Sequence, residues 1–565
     1  MSRHALRGIL EQALAEMGVA GHEVRLERPR DPDHGDIASS VALTLASRLR
    51  RPPRGIADEI AERLELDGTG IASVEVAGPG FLNFRFSASR VSAVIGEILR
   101  RDERYGRSAD GQGRAIMVEF VSANPTGPLH LGHGRQAALG DTLANLLEWT
   151  GWAAYREYYY NDAGRQIERL GESVACRYLR HFGVDAGFPE DGYHGEYVAE
   201  IAERLAQAEG DRLVDSAAEE RLAACERFAV RVLREEQDRD LADFGVHFDC
   251  YFLESSLYTD GAVDATIAAL RETGHVYERD GATWLATTAF GDQKDRVMVK
   301  SDGSPTYFLP DVAYHMSKWR RGFHEVVNVQ GSDHHGTVDR VRAGLEALGR
   351  PRGYPEYLLH QMVTVERSGV EVRLSKRSGG YTTLRELVDA VGADVVRYFF
   401  VMRKPEAHLV FDLDAALDHS DRNPVYKSKY AHARMCSIFR KAGMDPDAMS
   451  TGQLVPEGLD LSLLEHPRER ALMARLGEFP ELVRRAARSR APHLVCEYLE
   501  HTAGMVNSWY HAGNPTRNPG LAVLAGDPAL RAARLALTGA VRVVLRNALA
   551  LLGVEAPTRM ARRED

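Results

Sequence analysis

The chain has 565 residues, 44% hydrophobic and 27% charged, the composition of a globular protein; at roughly 100–200 residues per domain it exceeds one unit, and three to five are expected. No apolar run of roughly 18 residues occurs, so no membrane span is expected, and the five cysteines (Cys176, Cys225, Cys250, Cys436, Cys496) form no Cys-x-x-Cys pair, which argues against a disulfide framework and a cysteine-rich zinc site and suits a reducing cytoplasm. The net charge of −10 disfavours a nucleic-acid partner at first sight, yet it is uneven: Arg422 to Asp565 carries 21 Lys and Arg against 14 Asp and Glu, a net +7, leaving −17 on the rest.

Met1 to Gly18 sets charges among its apolar positions and reads as an amphipathic helix rather than a signal peptide. A turn-rich stretch, ERPRDPDHGD, leads into an apolar helix, and SVEVAGPGFLNFRF alternates like two strands around a Gly-Pro-Gly turn. The first hundred residues are therefore expected to form an α+β unit, with the polar, glycine-rich Arg104 to Gly113 as a linker. AIMVEFVSA then reads as a short buried strand that NPTGP cannot continue, and LHLGHGRQAALGDTLANLLEWTG as the following helix: half of a βαβ unit. Gly164 to about Gly245 is helical and strongly charged, which suits an insertion. Strand-like pieces return at VYERDGATWLATTAF, RVMVKSDGSPTYFLP and EVVNVQGSDHHG, and an α/β sheet with its site at the strand ends is the natural reading. Beyond about Ser420 the pattern is helical and predicts a bundle. Its positive balance suits a polyanion docking at one end, although a solvated Arg-rich bundle would give the same count.

Two constellations carry chemistry. His130-Leu131-Gly132-His133 follows Asn124-Pro125-Thr126-Gly127-Pro128 at a predicted helix start. Two imidazoles three residues apart share a face there. Backbone amides and the positive helix end attract phosphate, imidazole donors can meet phosphate oxygens as charge develops, and Gly132 lets a flat base approach the backbone. Two surface histidines at a cap, or a metal pair, are the alternatives, and no neighbouring ligand has the spacing for a metal. The second is Arg373-Leu374-Ser375-Lys376-Arg377-Ser378-Gly379-Gly380. A lysine is a mobile point charge suited to a departing pyrophosphate, and the glycines let the loop close, though a lone basic loop is commonly just solvated.

Together, in this order, the two resemble the ATP-binding signatures of class I aminoacyl-tRNA synthetases. EFVSANPTGPLHLGHGRQAALGD, YYYNDAGRQIERL, FGDQKDRVMVKSDGSPTYFLPDVAYH, VRLSKRSGGYTTLRELV, DPDHGDIASSVAL, VAGPGFLNF, NPVYKSKYAHARMCSI and RLALTGAVRVVLRNALALLGVEAPTRM narrow the resemblance to arginyl-tRNA synthetases, over essentially the whole chain. One departure is visible: the usual Lys-Met-Ser-Lys of the second signature is Arg373-Leu374-Ser375-Lys376, which keeps the charge and changes the geometry.

The resemblance implies a Rossmann-like class I catalytic domain at 109–421 with a helical insertion near 165–245, an N-terminal α+β tRNA-binding domain at 1–108, and an all-α anticodon-binding bundle at 422–565. It implies activation of L-arginine by ATP with Mg2+, transfer of the arginyl group to the terminal ribose of tRNA(Arg), no zinc, and a cytoplasmic monomer. Activation that waits for bound tRNA is a further property the resemblance implies. His130, His133 and Lys376 are the expected catalytic groups. ATP is expected at Gly127, Pro128, His130, Gly132, His133, Gln330, Asp333, Arg373, Ser375 and Lys376. Arginine is expected at Glu119 (α-amino group), Ser122, Asn124, His133, Tyr307, Asp311 and His335, with Asp311 as guanidinium partner because a planar fork of donors pairs best with a carboxylate. Each of these acids could instead be a cap or a surface charge, and the adjacent histidines, His334 and His335, a metal site or plain turn residues. Tyr426, Lys427, Lys429, Tyr430, His432 and Arg434 interleave aromatics with bases and are expected to meet tRNA. Length leaves no room for a large editing domain, which a polar pocket for a guanidinium needs less. Two rivals stay open: another class I synthetase, and an idle paralogue that only binds RNA, against which intact His130, His133 and Lys376 argue.

Overall fold

A computed structural model describes residues 3–27, 29, 34–67, 69–162, 164–374, 381–448, 450–514, 516 and 518–560. The N-terminal unit contains α1 (Arg3–Glu16), β1 (Leu26–Glu27), β2 (Ile37–Ser39), α2 (Val41–Leu49), α3 (Pro53–Arg63), β3 (Ile71–Ala77) and β4 (Phe81–Phe86). Its antiparallel sheet runs β1-β2-β4-β3, and Leu10, Leu45, Ile56, Ile60, Leu82 and Phe84 bury its core completely. The turn of the β3–β4 hairpin needs glycine: Gly80 has φ +136° and a Cβ there would lie 2.8 Å from the Pro53 carbonyl.

The next helix, α4 (Ala88–Arg101), does not join that core. Ile95, Ile98 and Leu99 pack into the central hydrophobic cluster with Leu472, Leu476 and Leu537 of the C-terminal bundle. The segment expected to be a linker is likewise anchored. Tyr105 is buried, its hydroxyl donates to Leu476 O (3.1 Å), and Asn547 Nδ2 donates to the Asp102 and Tyr105 carbonyls.

The catalytic half follows with β5 (Ala115–Glu119), α5 (Leu131–Trp149), β6 (Ala153–Tyr160), the insertion α6 (Arg165–His181), α7 (Glu196–Glu209) and α8 (Ala218–Asp243), then β7 (Cys250–Leu253), α9 (Glu254–Thr259) and α10 (Ala262–Glu272). It continues through β8 (Val276–Arg279), β9 (Ala282–Leu285), β10 (Arg296–Val299), α11 (Phe308–Arg320), β11 (Val326–Gly331), α12 (His335–Ala347) and β12 (Glu356–His360). Five strands form a parallel sheet ordered β12-β11-β5-β6-β7. Chain order reverses on the two sides of β5, which puts a switch-point crevice at the strand C-terminal ends. The strands at 276–299 do not join this sheet, contrary to the sequence reading. They form a separate antiparallel sheet, β10-β9-β8, because an apolar alternation specifies a strand and not its partner.

Glu119, Asn328 and Glu157 stand in one register row across three neighbouring strands. Such a polar row is tolerable inside only when paired. α11 lies over it: Lys318 reaches Glu119 and Asn328, while Tyr314 and Arg321, just past the helix end, reach Glu157.

Beyond the sheet come β13 (Val363–Arg367), β14 (Val370–Glu371), α13 (Leu384–Val391), α14 (Ala393–Val401), β15 (Leu409–Asp412) and α15 (Leu413–Leu417). The C-terminal bundle is α16 (Pro424–Lys441), α17 (Pro467–Gly477), α18 (Phe479–Arg488), α19 (His493–Ala512) and α20 (Pro528–Leu551). α5 is buried on nearly every side because α14, α18 and α20 cover what the sheet does not. Among the described residues no helix is long and apolar enough to cross a membrane.

Candidate active site

The first signature sits where β5 ends and α5 begins. His130 is the N-cap of α5, and it and His133 cap one another: His133 N donates to His130 Nδ1 (3.2 Å) and His130 N to His133 Nδ1 (3.4 Å). Their rings stack with centroids 3.5 Å apart. An Nδ1 that accepts a backbone N–H carries no proton, so each neutral ring presents an Nε2–H donor. Burial lowers the pKa of His130, although it keeps an exposed edge at the pocket mouth and the Asp333 charge opposes the shift. Burial, then His130 and His360, hold His133 well below the ordinary histidine value. Both are neutral hydrogen-bond donors at neutral pH, beside a helix N-terminus that favours phosphate.

Gly132 is required by the histidines themselves. A Cβ there would lie 2.8 Å from His130 Cε1 and 3.0 Å from its Nδ1, so the ring fills the space that the sequence reading left for a base. Two residues on, Gly134 lets α5 meet Leu384 and Phe400.

The loop between β5 and α5 is pinned along nearly its full length. Val121 and Ser122 have positive φ, 69° and 46°, conformations that L-residues hold only when their surroundings impose them. Gln136, with its amide nitrogen toward the carbonyl, donates to Val121 O (2.7 Å) and accepts from Gly331 N (3.1 Å). Tyr158 OH meets both Ala123 N and O. Gln237 Nε2 donates to Asn124 O (3.1 Å) and Gly127 O (2.9 Å). Tyr197 OH donates to Thr126 O (2.9 Å), Tyr381 OH to Pro128 O (3.1 Å) and Leu384 N to Leu129 O (2.8 Å).

The last two contacts bring the segment that follows the second signature to the first. His130 and Thr383 form an isolated bridge, and Leu374 N donates to Thr382 Oγ1 (3.4 Å). Arg373 is exposed on the approach. Ser375 and Lys376 lie outside the described residues. A cavity of about 500 Å³ opens between the loops, lined by Asn124, Gly127, Pro128, His130, His133 and Tyr381, with Tyr193, His194 and Tyr197 of the insertion forming its far wall.

The acids sit deeper. Glu119 is buried, with Lys318 Nζ 2.5 Å from Oε2 and Ser122 Oγ donating to Oε1 (3.0 Å). Lys318 is fully buried, and burial lowers its pKa against the pull of Glu119 and Glu157. Asp311, in the first turn of α11, accepts no hydrogen bond from the described residues, and burial raises its carboxyl to about 7 against the pull of Arg340, with Glu254 and Glu119 raising it further. Glu254 is also raised by burial and accepts from Tyr159 OH (2.8 Å).

Other expected residues scatter. Asn124 lines the cavity, and its amide donates to Gln166 (2.6 Å). Gln330, next to last in β11, has a buried Oε1 with no partner among the described residues. Asp333, His334 and His335 are exposed at the start of α12. Tyr307 does not line the pocket core: it is the N-cap of α11 and 79% exposed. On α16, Tyr426 stacks on Tyr430, and Arg434 lies between the Tyr430 and Tyr510 rings, 4.3 and 5.0 Å from their centroids. Lys427 lines a second cavity of about 630 Å³ with Arg468 and His501. Lys429 is turned inward to Asp394 (2.5 Å), and His432 is buried against Pro557 O (2.9 Å).

Three family models match the chain: arginyl tRNA synthetase N terminal domain over residues 4–86, tRNA synthetases class I (R), catalytic domain, over 94–178 and 199–397, and DALR anticodon binding domain over 428–560. The arginine–tRNA ligase of Geotalea daltonii is 48% identical over 575 residues, covering 99% of this chain and all (100%) of the relative. That of Bordetella petrii is 50% identical over 552 residues, 95% of each. The arginyl-tRNA synthetase structure from Thermus thermophilus superposes with a TM-score of 0.78 at 27% identity, over 99% of this chain and 100% of the other.

Proposed function

The chain belongs to the arginyl-tRNA synthetase family, and we propose that the arginine–tRNA ligase reaction takes place in the cavity between its two signature loops. The enzyme charges tRNA(Arg) with arginine. In the first step the arginine carboxylate attacks the α-phosphate of ATP, forming arginyl-adenylate and releasing pyrophosphate; in the second, the terminal ribose of the tRNA takes the arginyl group and AMP leaves.

The observation that supports the placement is the pairing of residues 381–384, just past the second signature, with 128–130 at the helix N-terminus bearing the two neutral imidazoles. No nucleophilic side chain is needed, so catalysis is positioning plus charge stabilisation. The Nε2–H groups of His130 and His133 meet phosphate oxygens. Gln330, with its free buried oxygen, and Asp333 face the nucleotide, and Gly127 and Pro128 line its path. Arg373 and Lys376 supply the cationic side. Mg2+ carried in with ATP would offset the charge of the phosphates.

Asp311 is the guanidinium partner, because it is a half-buried carboxylate, its charge disfavoured by its surroundings, that accepts no hydrogen bond from the described residues. Glu119 is already paired with Lys318, so it shapes the floor, and with Ser122 and Asn124 it offers oxygens to the α-amino group rather than an unbalanced charge. Tyr307 and His335 stand at the rim. The +7 segment carries the tRNA face, with the half-buried Tyr426, Lys427, Tyr430 and Arg434 of α16 as its contacts; Lys429 supports this helix through Asp394. The domain division is 1–108, 109–421 and 422–565, with α4 packed on the C-terminal bundle. Aminoacylation of tRNA(Arg) with each of the twenty amino acids tests the substrate. Arginine is expected to be charged best, and a better substrate, or no charging, would overturn it.

A further inference from the structure

Gln237 is not among the expected substrate residues, but it holds two of them, it is 1% exposed, and both ends of its amide are hydrogen-bonded. Nε2 donates to Asn124 O and Gly127 O, and Oε1 accepts from Tyr158 OH (3.3 Å). One turn on, the buried Asp240 accepts from Arg385 Nε (2.9 Å) and Nη2 (2.7 Å), while Asp243 accepts from Nη2 at 2.7 Å. Arg385 lies in the first turn of α13, directly after the second signature. A single turn of α8 thus grips the first loop with one side chain and the root of the second with another.

We propose that this turn, Gln237 to Asp240, fixes the first signature loop relative to the start of α13, the helix that follows the second signature in sequence, with Gln237 and Asp240 as positioning residues for adenylate formation. A residue that only filled the core could be apolar, and an amide buried with two bonds to a strained loop and a third to Tyr158 of β6 is a costly way to fill space. The loop cannot hold itself: it contains Pro125 and Pro128, which donate nothing, and two positive-φ residues. Tyr197 of α7 adds a third grip at Thr126 O, so the insertion is the frame on which the first signature is set. Misplacing reacting groups by about 1 Å can cost on the order of 100-fold in rate.

This inference rests on the loops being the ATP site, and the experiment separates the two. Arginine-dependent ATP–pyrophosphate exchange, with tRNA(Arg) present, is measured for the wild type and for Gln237→Leu, Tyr197→Phe, Asp240→Asn and His130→Ala, alongside thermal unfolding. A positioning role predicts a fall of about tenfold or more in kcat for Gln237→Leu and Asp240→Asn in the folded protein, with KM for arginine within about twofold. Tyr197→Phe removes one hydroxyl and is expected to show a smaller fall of the same kind, which keeps the test decisive where Gln237→Leu does not fold. Wild-type kcat in the folded variants, with His130→Ala inactive, overturns the positioning role alone. Wild-type kcat in His130→Ala overturns the reading of the site.

Discussion

Lys318 Nζ lies 2.5 Å from Glu119 Oε2 with both groups buried, so the carboxylate at the end of the central strand is neutralised from within the fold. The ammonium also donates to Asn328 (3.1 Å) and lies over the Tyr314 ring. Removing one partner of a buried pair leaves the other uncompensated, at about 3–5 kcal/mol. Lys318→Met is expected to lower the unfolding free energy measured in urea by that order, and Glu119→Gln in the same chain to restore much of it. A Lys318→Met protein as stable as the wild type would mean that Glu119 finds its countercharge elsewhere.

Asp311 makes arginine binding depend on pH. Its carboxyl titrates near 7 when the pocket holds no cation, and a guanidinium binds the charged form. Below that value a proton must leave for arginine to enter, so KM for arginine is expected to rise about tenfold from pH 8 to pH 6. Asp311→Asn should raise KM at pH 8 and abolish the slope. The stability of the free protein runs the other way. The folded pKa lies above the ordinary 3.8, so the contribution of Asp311 is fully present below about pH 4 and is lost as pH rises through 7. Asp311→Asn therefore stabilises the ligand-free protein at pH 8 and not at pH 4. A flat KM profile in the wild type would remove Asp311 from the guanidinium site.

What could be read from the sequence was local. His130, Gly132 and His133 act within one helical turn, so their spacing carried their geometry. The partners that hold the site are distant in the chain: Gln237 is 113 residues from Asn124, and Lys318 is 199 residues from Glu119. No motif contains such pairs. A trace existed on α11, where Asp311, Tyr314, Lys318 and Arg321 recur at helical spacing among apolar residues. Tyr307 fits the same spacing but stands at the helix cap, exposed, where the face has run out. Gly132 was legible as a required glycine, while its reason, the His130 ring, needed the mutual cap. Lys429 shows the converse: its identity suited an RNA face, and only the packing of α14 against α16 turns it inward.

Arg397 locks the catalytic half to the C-terminal bundle. It is 1% exposed, pairs with Asp141 of α5, and donates to Leu552 O (3.0 Å) and Phe244 O (2.9 Å). Gly553 lies under its guanidinium with φ +66°, and a Cβ there would fall 2.3 Å from Nη2. Gly553→Ala must therefore push Arg397 off Asp141, at a cost of about 3 kcal/mol or more. Gly443→Ala is the control: φ is +77° with nothing within 4 Å, leaving only left-handed strain of roughly 1–2 kcal/mol. Equal losses in the two variants, measured by urea unfolding, would show that backbone strain and not the Arg397 contact sets the cost.

Two lysines on one helix separate the tRNA face from the core. Lys427 lines an open cavity of the bundle with Arg468 and His501, whereas Lys429, two residues on, is paired with Asp394 at 2.5 Å. A lysine that neutralises a phosphate adds about 0.7–0.9 to the slope of log affinity against log salt, depending on whether the strand is single or double. Lys427→Ala is expected to weaken tRNA(Arg) binding and reduce that slope by about that amount. Lys429→Ala should leave the slope unchanged and lower thermal stability instead, because Asp394 loses its partner. Tyr430→Ala tests the neighbouring stack with Arg434: losing an aromatic platform for a base costs roughly 1–3 kcal/mol, so KM for tRNA is expected to rise about tenfold with little change in the slope. A smaller slope for Lys429→Ala than for Lys427→Ala would place the RNA on the opposite side of α16.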